Sequence, residues 1–521
     1  MISHFPKNQT PWAIQIKTVE AIEQAIKSNF RYICIEAPVA SGKSSSAITV
    51  ANWSESAYVV MPRKQLQGQY RDTFEGDVRL VKGRASVPCT FNNPEKNKKV
   101  IAAIKEGKHI HQPAPHESCA SAPCQNCRQP KRKQVLEECE KSGACPYTAM
   151  ISEACRHHVV IANNHAFFFM AQNGSLPKRK VLVLDECHGL HVMLRDMLTM
   201  KFTINRRVLE TELVGIKTPQ QFVNWLKLDE QFLTIKNDGR ESYLARLEKF
   251  ETAGEAVYGK QAIVQVHIDK DKTSLEFIPA YVGSAAHTFF FDYADIIVFL
   301  SGTIGKIEDF ARPLGIKPEE VSYKRLVSEI PATNRPVVLP RLKNCDLSHK
   351  GWETNLPVAI EEIKRILHHH KDVKCAIQAP SYRTAEVLLT ALQSTGRMIG
   401  HTSDNFTTQL QTFYESPKPL VFISPSIREG VDMKNDLCRA QIIIRPPYAP
   451  ITDPYYRWLI SNGRWDLYYR AAAIEFLQML GRPVRSKDDF GVTYLISSTF
   501  VPFLDKISGQ LPAWVKESFV K

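Results

Sequence analysis

The chain has 521 residues, 44% of them apolar, with 67 Lys and Arg against 54 Asp and Glu and a formal net charge of +13. At about 150 residues per domain this is matter for three or four packed domains, which excludes a disordered chain. No apolar run reaches the roughly 20 residues a bilayer crossing needs and the opening MISHFPKNQTPW lacks a signal-peptide layout, so membrane and secreted classes are set aside; the positive excess points to a polyanion, most simply nucleic acid.

Residues 31–37, RYICIEA, form an apolar run short enough for a buried strand. The loop APVASGKSS follows, and then KSSSAITVANW, which has the composition to begin a helix. Strand, loop, Gly-Lys-Ser and helix is the context a phosphate-binding loop requires. A phosphate needs several backbone N–H groups converging on it, and positive charge beside them. Gly42 lets the backbone approach, Lys43 reaches the β- and γ-phosphates, and Ser44 supplies an oxygen to Mg²⁺. AYVVM at 57–61 is the next predicted strand.

Between residues 84 and 150 strand signals vanish. Seven of the twelve cysteines (Cys89, Cys119, Cys124, Cys127, Cys139, Cys145 and Cys155) fall between 89 and 155, and from Lys82 to Lys133 eleven Lys/Arg face three Asp/Glu. Such a cluster in a large intracellular chain points to metal or redox chemistry rather than disulfides. Two metals suit it. An iron–sulfur cluster takes four thiolates; zinc takes Cys₄ equally well and could recruit His109, His111 or His116. Free cysteines serving as small apolar core residues are the third reading.

HVVIA at 158–162 and KVLVL at 180–184 resume the strands, and the second delivers Asp185 and Glu186 at its C-terminal end. That is where ligands sit in open parallel sheets. Asp185 is placed to hold Mg²⁺, and Glu186 to orient and deprotonate an attacking water. Residues 201–255 read as mixed and mostly helical, and DIIVFL at 295–300 as the last strand of the first sheet. LPVAIEEIKRILHHH at 356–370 puts Ile360, Ile363 and Leu367 on one helical face, with the histidines at an exposed helix end. KCAIQ (374–378), PLVFIS (419–424), AQIIIR (440–444) and GVTYLIS (491–497) read as a second set of strands. Continuous Val/Ile runs of this kind suit parallel strands buried on both faces, so the fold class is α/β with two mostly parallel sheets. In QMLGRPVR, Gln478, Arg482 and Arg485 share one helical face if the stretch is helical, and the two arginines could stabilise charge on a transferring phosphoryl group.

These motifs, in this order, resemble a superfamily 2 helicase of the XPD/DinG group, DNA helicases with iron–sulfur clusters. APVASGKSS is similar to its motif I, VVMPRKQLQGQY (59–70) to motif Ia, DECH (185–188) to motif II, LSGTIG (300–305) to motif III, REGVDM (428–433) to motif V and QMLGRPVR to motif VI. NNHAFFF (163–169) and RPPYAPITDP (445–454) also look like family segments. The resemblance implies two RecA-like motor domains with ATP and Mg²⁺ between them. It implies travel along single-stranded DNA, 5′ to 3′, and unwinding of forked or tailed duplex, with RNA or hybrid substrates, or a translocase or clamp that does not unwind, as alternatives. The implied arrangement is motor domain 1 in three parts (1–83, 151–200 and 256–325), a cluster domain at 84–150, a short arch-like insertion at 201–255, and motor domain 2 at 326–521. The roughly 35 residues before motif I leave no room there for a further domain.

By resemblance the nucleotide contacts include Gln15, Ala40, Ser41, Ser45, Gly430 and Asp432 beside Gly42, Lys43, Ser44 and Asp185. Ala40 stands where the family commonly has glycine, tolerable only at ordinary φ. Cys89, after KGRASVP, resembles the entry to the cluster domain and Cys145, in CPYTAM, its exit; Cys124 and Cys139 complete a [4Fe-4S] ligand set, with Cys127 and Cys119 as alternates and zinc as the alternative metal. Arg63, Gln65, Ser381 and Arg428 are the expected nucleic-acid contacts, and Tyr455, Tyr456, Trp465, Tyr468 and Tyr469 candidate stacking platforms. A monomer is expected, cytoplasmic in a prokaryotic or phage-type host and nuclear in a eukaryotic one.

Overall fold

The computed structural model describes residues 1–38, 41–74, 78–89, 94–106, 110, 113, 118–119, 145–204, 210–213, 215–216, 221–222, 224–225, 262–270, 272–427, 431, 433 and 435–520. The chain divides into two compact units: residues 1–36, 42–301 and 311–326 form one, and 37–41, 302–310 and 327–521 the other. Among the described residues no helix is long and apolar enough to cross a membrane.

Among the described residues the first unit has ten strands: β1 (Tyr32–Glu36), β2 (Ala57–Met61), β3 (Arg79–Val81), β4 (Val159–Asn163), β5 (Arg179–Asp185), β6 (Met200–Ile204), β7 (Ala262–Ile268), β8 (Thr273–Pro279), β9 (Ala294–Ser301) and β10 (Val321–Arg325). Seven of them make a parallel sheet in the order β10-β1-β9-β5-β2-β4-β3. Every residue of β1, β2 and β4 is buried, because helices cover both faces of the sheet; the unbroken apolar runs were the mark of that burial. β9 is not the last strand, as its apolar character suggested. The polar VSYKR of β10 adds an edge beyond β1, and its partial exposure explains why no apolar run announced it.

β6, β8 and β7 form a separate antiparallel sheet in that order. It takes its first strand from the stretch read as mostly helical; the short helix Glu210–Leu213 is there too, and residues 226–255 lie outside the described residues.

The second unit is a seven-stranded parallel sheet in the order β13-β14-β12-β15-β16-β11-β17. Its strands are β11 (Val337–Val338), β12 (Cys375–Gln378), β13 (Met398–Ile399), β14 (Val421–Ser424), β15 (Ala440–Ile443), β16 (Val492–Leu495) and β17 (Phe519–Val520). The helix Trp352–His369 lays Ala359, Ile363, Ile366 and Leu367 into its core beside Cys375, Ile377, Val421 and Ile442, with Ile360 partly buried against the same cluster. His368 and His369 end that helix at the surface. The helix Trp465–Leu480 buries Ala472, Ala473, Phe476 and Leu477 against Phe500 and Phe503.

Candidate functional site

Strand order creates the site. β1, β9 and β5 are adjacent and parallel, with Glu36 opposite Ser301 and Asp185 opposite Leu300. Their C-terminal ends therefore open on one edge of the sheet, as in other open α/β sheets that bind ligands there. Buried Glu36 ends β1. It accepts from Tyr323 Oη at 2.5 Å and from Arg325 Nε at 2.9 Å, both on β10, which anchors the strand from which the phosphate loop departs.

Gly42 caps the helix Lys43–Ser54 at φ 69°, the left-handed region that glycine enters without cost. A Cβ there would run into the Gln15 side-chain amide, which would have to leave the Gly42 carbonyl to make room. Gln15 itself donates from Nε2 to the Gly42 carbonyl at 3.2 Å and accepts from the Trp12 N–H at 2.8 Å. Ser45 Oγ donates to Gln9 Oε1 at 2.6 Å. The segment 9–15 thus braces the first turn of the helix whose free N–H groups would receive phosphate. In the second unit Ser41 is buried, with its N–H on the Pro38 carbonyl at 3.2 Å. Ala40 lies outside the described residues.

Asp185 and Glu186 arrive from β5 on the same edge. Asp185 is 3% exposed. Its Oδ2 accepts from Tyr70 Oη at 2.7 Å and its Oδ1 from the Glu186 N–H at 3.0 Å. Burial, and then the charge of Glu186, raise its carboxyl to about 6, with Lys43 opposing. Glu186 sits at φ 49°, an uncommon conformation for a residue with a side chain, of the kind held at functional sites by their surroundings. Burial works against its charge, yet Lys43 and His188 hold its carboxyl below the usual range. Lys43 Nζ is 3.4 Å from Glu186 Oε1; Ser301 Oγ donates to Oε2 at 3.3 Å and also meets His188 Nδ1 at 2.9 Å. Lys43, Asp185 and Glu186, picked from the sequence, are therefore in contact, and Ser44 reaches Asp185 through the Tyr70 hydroxyl that both bond. Tyr70, His188 and Gln9 join them. Tyr70 has a signal in hindsight: it lies three residues beyond Gln67, and both are buried on the inner face of the helix Lys64–Thr73.

In the second unit Gln478 Nε2 donates to Thr303 Oγ1 at 3.1 Å, linking the stretches read as motifs VI and III. Arg482 and Arg485 are not helical. The helix ends at Leu480, with Gly481 at its cap, because Pro483 lacks the N–H to continue and disfavours helical backbone at Arg482. Arg482 Nη1 donates to the Val431 carbonyl at 3.2 Å. The Arg485 backbone N–H is held by Asp489 Oδ2 at 3.1 Å. Asp489 also receives Arg439 Nη1 at 2.7 Å and the Asn435 N–H at 3.2 Å, while Arg485 Nε is buried with no partner among the described residues. A buried donor left open in this way is suited to an incoming anion. Arg428, Gly430 and Asp432 lie outside the described residues.

The cysteine region is described in part. Pro88 and Ser118 pair as an isolated antiparallel bridge, and the Cys119 N–H donates to the Val87 carbonyl at 2.9 Å. This brings the Cys89 and Cys119 thiols into hydrogen-bond contact. Cys119, as donor, is pushed up by that bond and by burial; Cys89, as acceptor, is lowered to about 7. Cys145 lies near enough to raise Cys119 further. Among the described residues no group of three or more His, Cys, Asp or Glu side chains is arranged to hold a metal ion; Cys124, Cys127 and Cys139 lie outside them. Cys89, Cys119 and Cys145 offer soft sulfur donors from segments remote in sequence, a donor set that suits a thiolate-held metal.

Of the expected nucleic-acid contacts, Arg63 caps the helix Lys64–Thr73 and is exposed, as is Gln65. Ser381 caps the helix Tyr382–Leu392 through the Thr384 N–H. Among the aromatics, Tyr455 and Tyr468 are buried, so they belong to the core and not to a platform. Tyr456 is half-buried. Trp465 is 44% exposed and stacked on Tyr469 at 5.8 Å.

Two parallel α/β sheets, the first with Gly-Lys-Ser before a helix and an acidic pair at its strand ends, have the RecA-like fold. Residues 363–518 match the model of the helicase C-terminal domain family. An XPD helicase structure aligns at a TM-score of 0.60 with 14% identity, covering 96% of this chain and 98% of its own. Xpd4 of S. tokodaii aligns at 0.56 with 12% identity, covering 97% and 99%. No curated protein sequence matches the chain. The fold is the one seen in those XPD helicase structures, in line with the resemblance that the motif order carried.

Proposed function

We propose that this protein is an ATP-driven motor that moves 5′ to 3′ along single-stranded DNA and unwinds tailed duplex. The observation that carries the reading is the constellation in the first unit: Lys43 and Ser44 at a helix N-terminus, with Asp185 and Glu186 on the same sheet edge. In the proposed cycle the N–H groups of the Lys43–Ser54 helix and the Lys43 ammonium receive the phosphates. Ser44 and Asp185 would hold Mg²⁺, which when bound neutralises phosphate charge. Glu186, kept ionised by Lys43 and His188, orients the attacking water and takes its proton. Arg482 and Arg485 supply positive charge to the transferring phosphoryl group. Gln478 would report the nucleotide state to the segment that β9 feeds, a role its bond to Thr303 supports. Arg63, Gln65, Ser381 and Arg428 contact the strand, and the net charge of +13 favours a polyanion. The expected result is ATP-dependent displacement from a duplex with a 5′ tail and none from a 3′ tail. ATP hydrolysis stimulated by single strands without displacement would instead identify a translocase or clamp.

We further propose a [4Fe-4S] cluster held by Cys89, Cys119, Cys145 and one thiol among Cys124, Cys127 and Cys139. The contact between Cys89 and Cys119 supports Cys119 in the place first given to one of the middle pair. Such a centre would supply folding energy to a segment short of apolar residues. Anaerobically purified protein should be brown, with about four irons per chain, and Cys119→Ser should lose the colour and the iron. Zinc in place of iron and sulfide would turn the assignment to a Cys₄ zinc site. Iron content unchanged in Cys119→Ser would return the place to the middle pair.

A further inference from the structure

Tyr70 has no role in the reading above, yet it touches both residues proposed to hold the metal. Its ring is buried, 1% exposed. Its hydroxyl donates to Asp185 Oδ2 at 2.7 Å, and the Ser44 side chain bonds the same phenol oxygen.

The hydroxyl is held in place by its helix. One turn earlier Gln67 is buried and donates from Nε2 to the Val81 carbonyl of β3 at 2.7 Å and to the Ile161 carbonyl of β4 at 3.3 Å. Asn163 Nδ2, at the end of β4, donates to Gln67 Oε1 at 3.4 Å. Gln67 thus ties the helix Lys64–Thr73 to two strands of the sheet that carries Asp185, and the helix cannot slide without breaking those bonds. The Tyr70 ring leans on Phe74 at 5.7 Å.

With Oδ1 bonded to the Glu186 N–H and Oδ2 to Tyr70, each Asp185 oxygen has one lone pair engaged and one open. The carboxylate is thereby fixed in rotation, with its remaining acceptors free for a cation. Partners of this kind orient a metal ligand and raise its affinity without touching the metal.

We infer that Tyr70 is a positioning residue for the metal of the nucleotide site, bridging Ser44 and Asp185 and setting the Asp185 carboxylate for the cation that accompanies the phosphates. The inference rests on the reading that Ser44 and Asp185 hold that cation. The test measures Mn²⁺ binding to the full-length ADP-bound protein by electron paramagnetic resonance, and ADP affinity in EDTA. Tyr70→Phe keeps the ring and removes only the hydroxyl. It should weaken Mn²⁺ by about 10- to 100-fold, the usual effect of losing such a partner, and leave metal-free ADP affinity unchanged. A change in packing alone would shift both or neither. Mn²⁺ affinity in Tyr70→Phe within about twofold of the parent overturns the inference, on the same scale of partner effects. Asp185→Asn separates the two levels. If it abolishes Mn²⁺ binding while Tyr70→Phe does not, only the role of Tyr70 falls; if it leaves Mn²⁺ binding intact, the assignment of the metal site falls with it.

Discussion

Lys43→Ala is expected to abolish DNA-stimulated ATP hydrolysis, with a loss of at least about 10²- to 10³-fold in kcat, the scale of removing one charge-stabilising donor from a preorganised site. Two effects combine. The ammonium that reaches the β- and γ-phosphates disappears from the first residue of the helix Lys43–Ser54. Glu186 also loses the cation 3.4 Å from its Oε1, which does most to keep its carboxyl ionised against burial. The variant should therefore bind nucleotide weakly and be poor in general-base function as well. Steady-state hydrolysis with saturating single-stranded DNA, together with fluorescent-nucleotide titration, measures both. Hydrolysis kept at the parent rate would remove the phosphate-loop assignment and the motor reading with it.

Arg485→Ala should show a different signature: kcat down by about 10³- to 10⁵-fold, as for arginines that neutralise a transferring phosphoryl group, with KM for ATP little changed. The residues proposed to bind phosphates in the ground state are untouched by the substitution. The Arg485 backbone is pinned by Asp489, while its buried Nε has no partner among the described residues, so the side chain can be removed without breaking a structural bond to that nitrogen. Arg482 differs, because its Nη1 donates to the Val431 carbonyl; Arg482→Ala should lower both kcat and the melting temperature. An Arg485→Ala protein that keeps its kcat would strip the second unit of its catalytic part.

Much of the fold was legible in the chain because parallel strands buried on both faces must be apolar without alternation. β1, β2, β4, β5, β12, β14 and β15 all announce themselves in this way. The strands that escaped, β3, β10, β11, β13 and β17, are short or lie at edges, where water or a turn replaces one neighbour and polar residues are tolerated. The antiparallel strands β6, β7 and β8 mix polar and apolar residues over stretches that propensity alone does not separate from helix. The helical face assumed for Gln478, Arg482 and Arg485 failed locally: Gly481 and Pro483 end the helix between the glutamine and the arginines.

The site divides along the same line. Gly-Lys-Ser before a helix and Asp-Glu after an apolar strand carry their pattern in adjacent residues, so the linear chain on its own singled out Lys43, Ser44, Asp185 and Glu186 as candidates for phosphate and metal chemistry. That Glu36, Ser301 and Asp185 end side by side, that Tyr70 bridges Ser44 and Asp185 from 26 and 115 positions away, and that Cys119 meets Cys89 beside the isolated bridge of Pro88 and Ser118 were decided only by tertiary structure. Strand order and side-chain rotamers are settled by packing among residues far apart in the chain, and no local pattern encodes them.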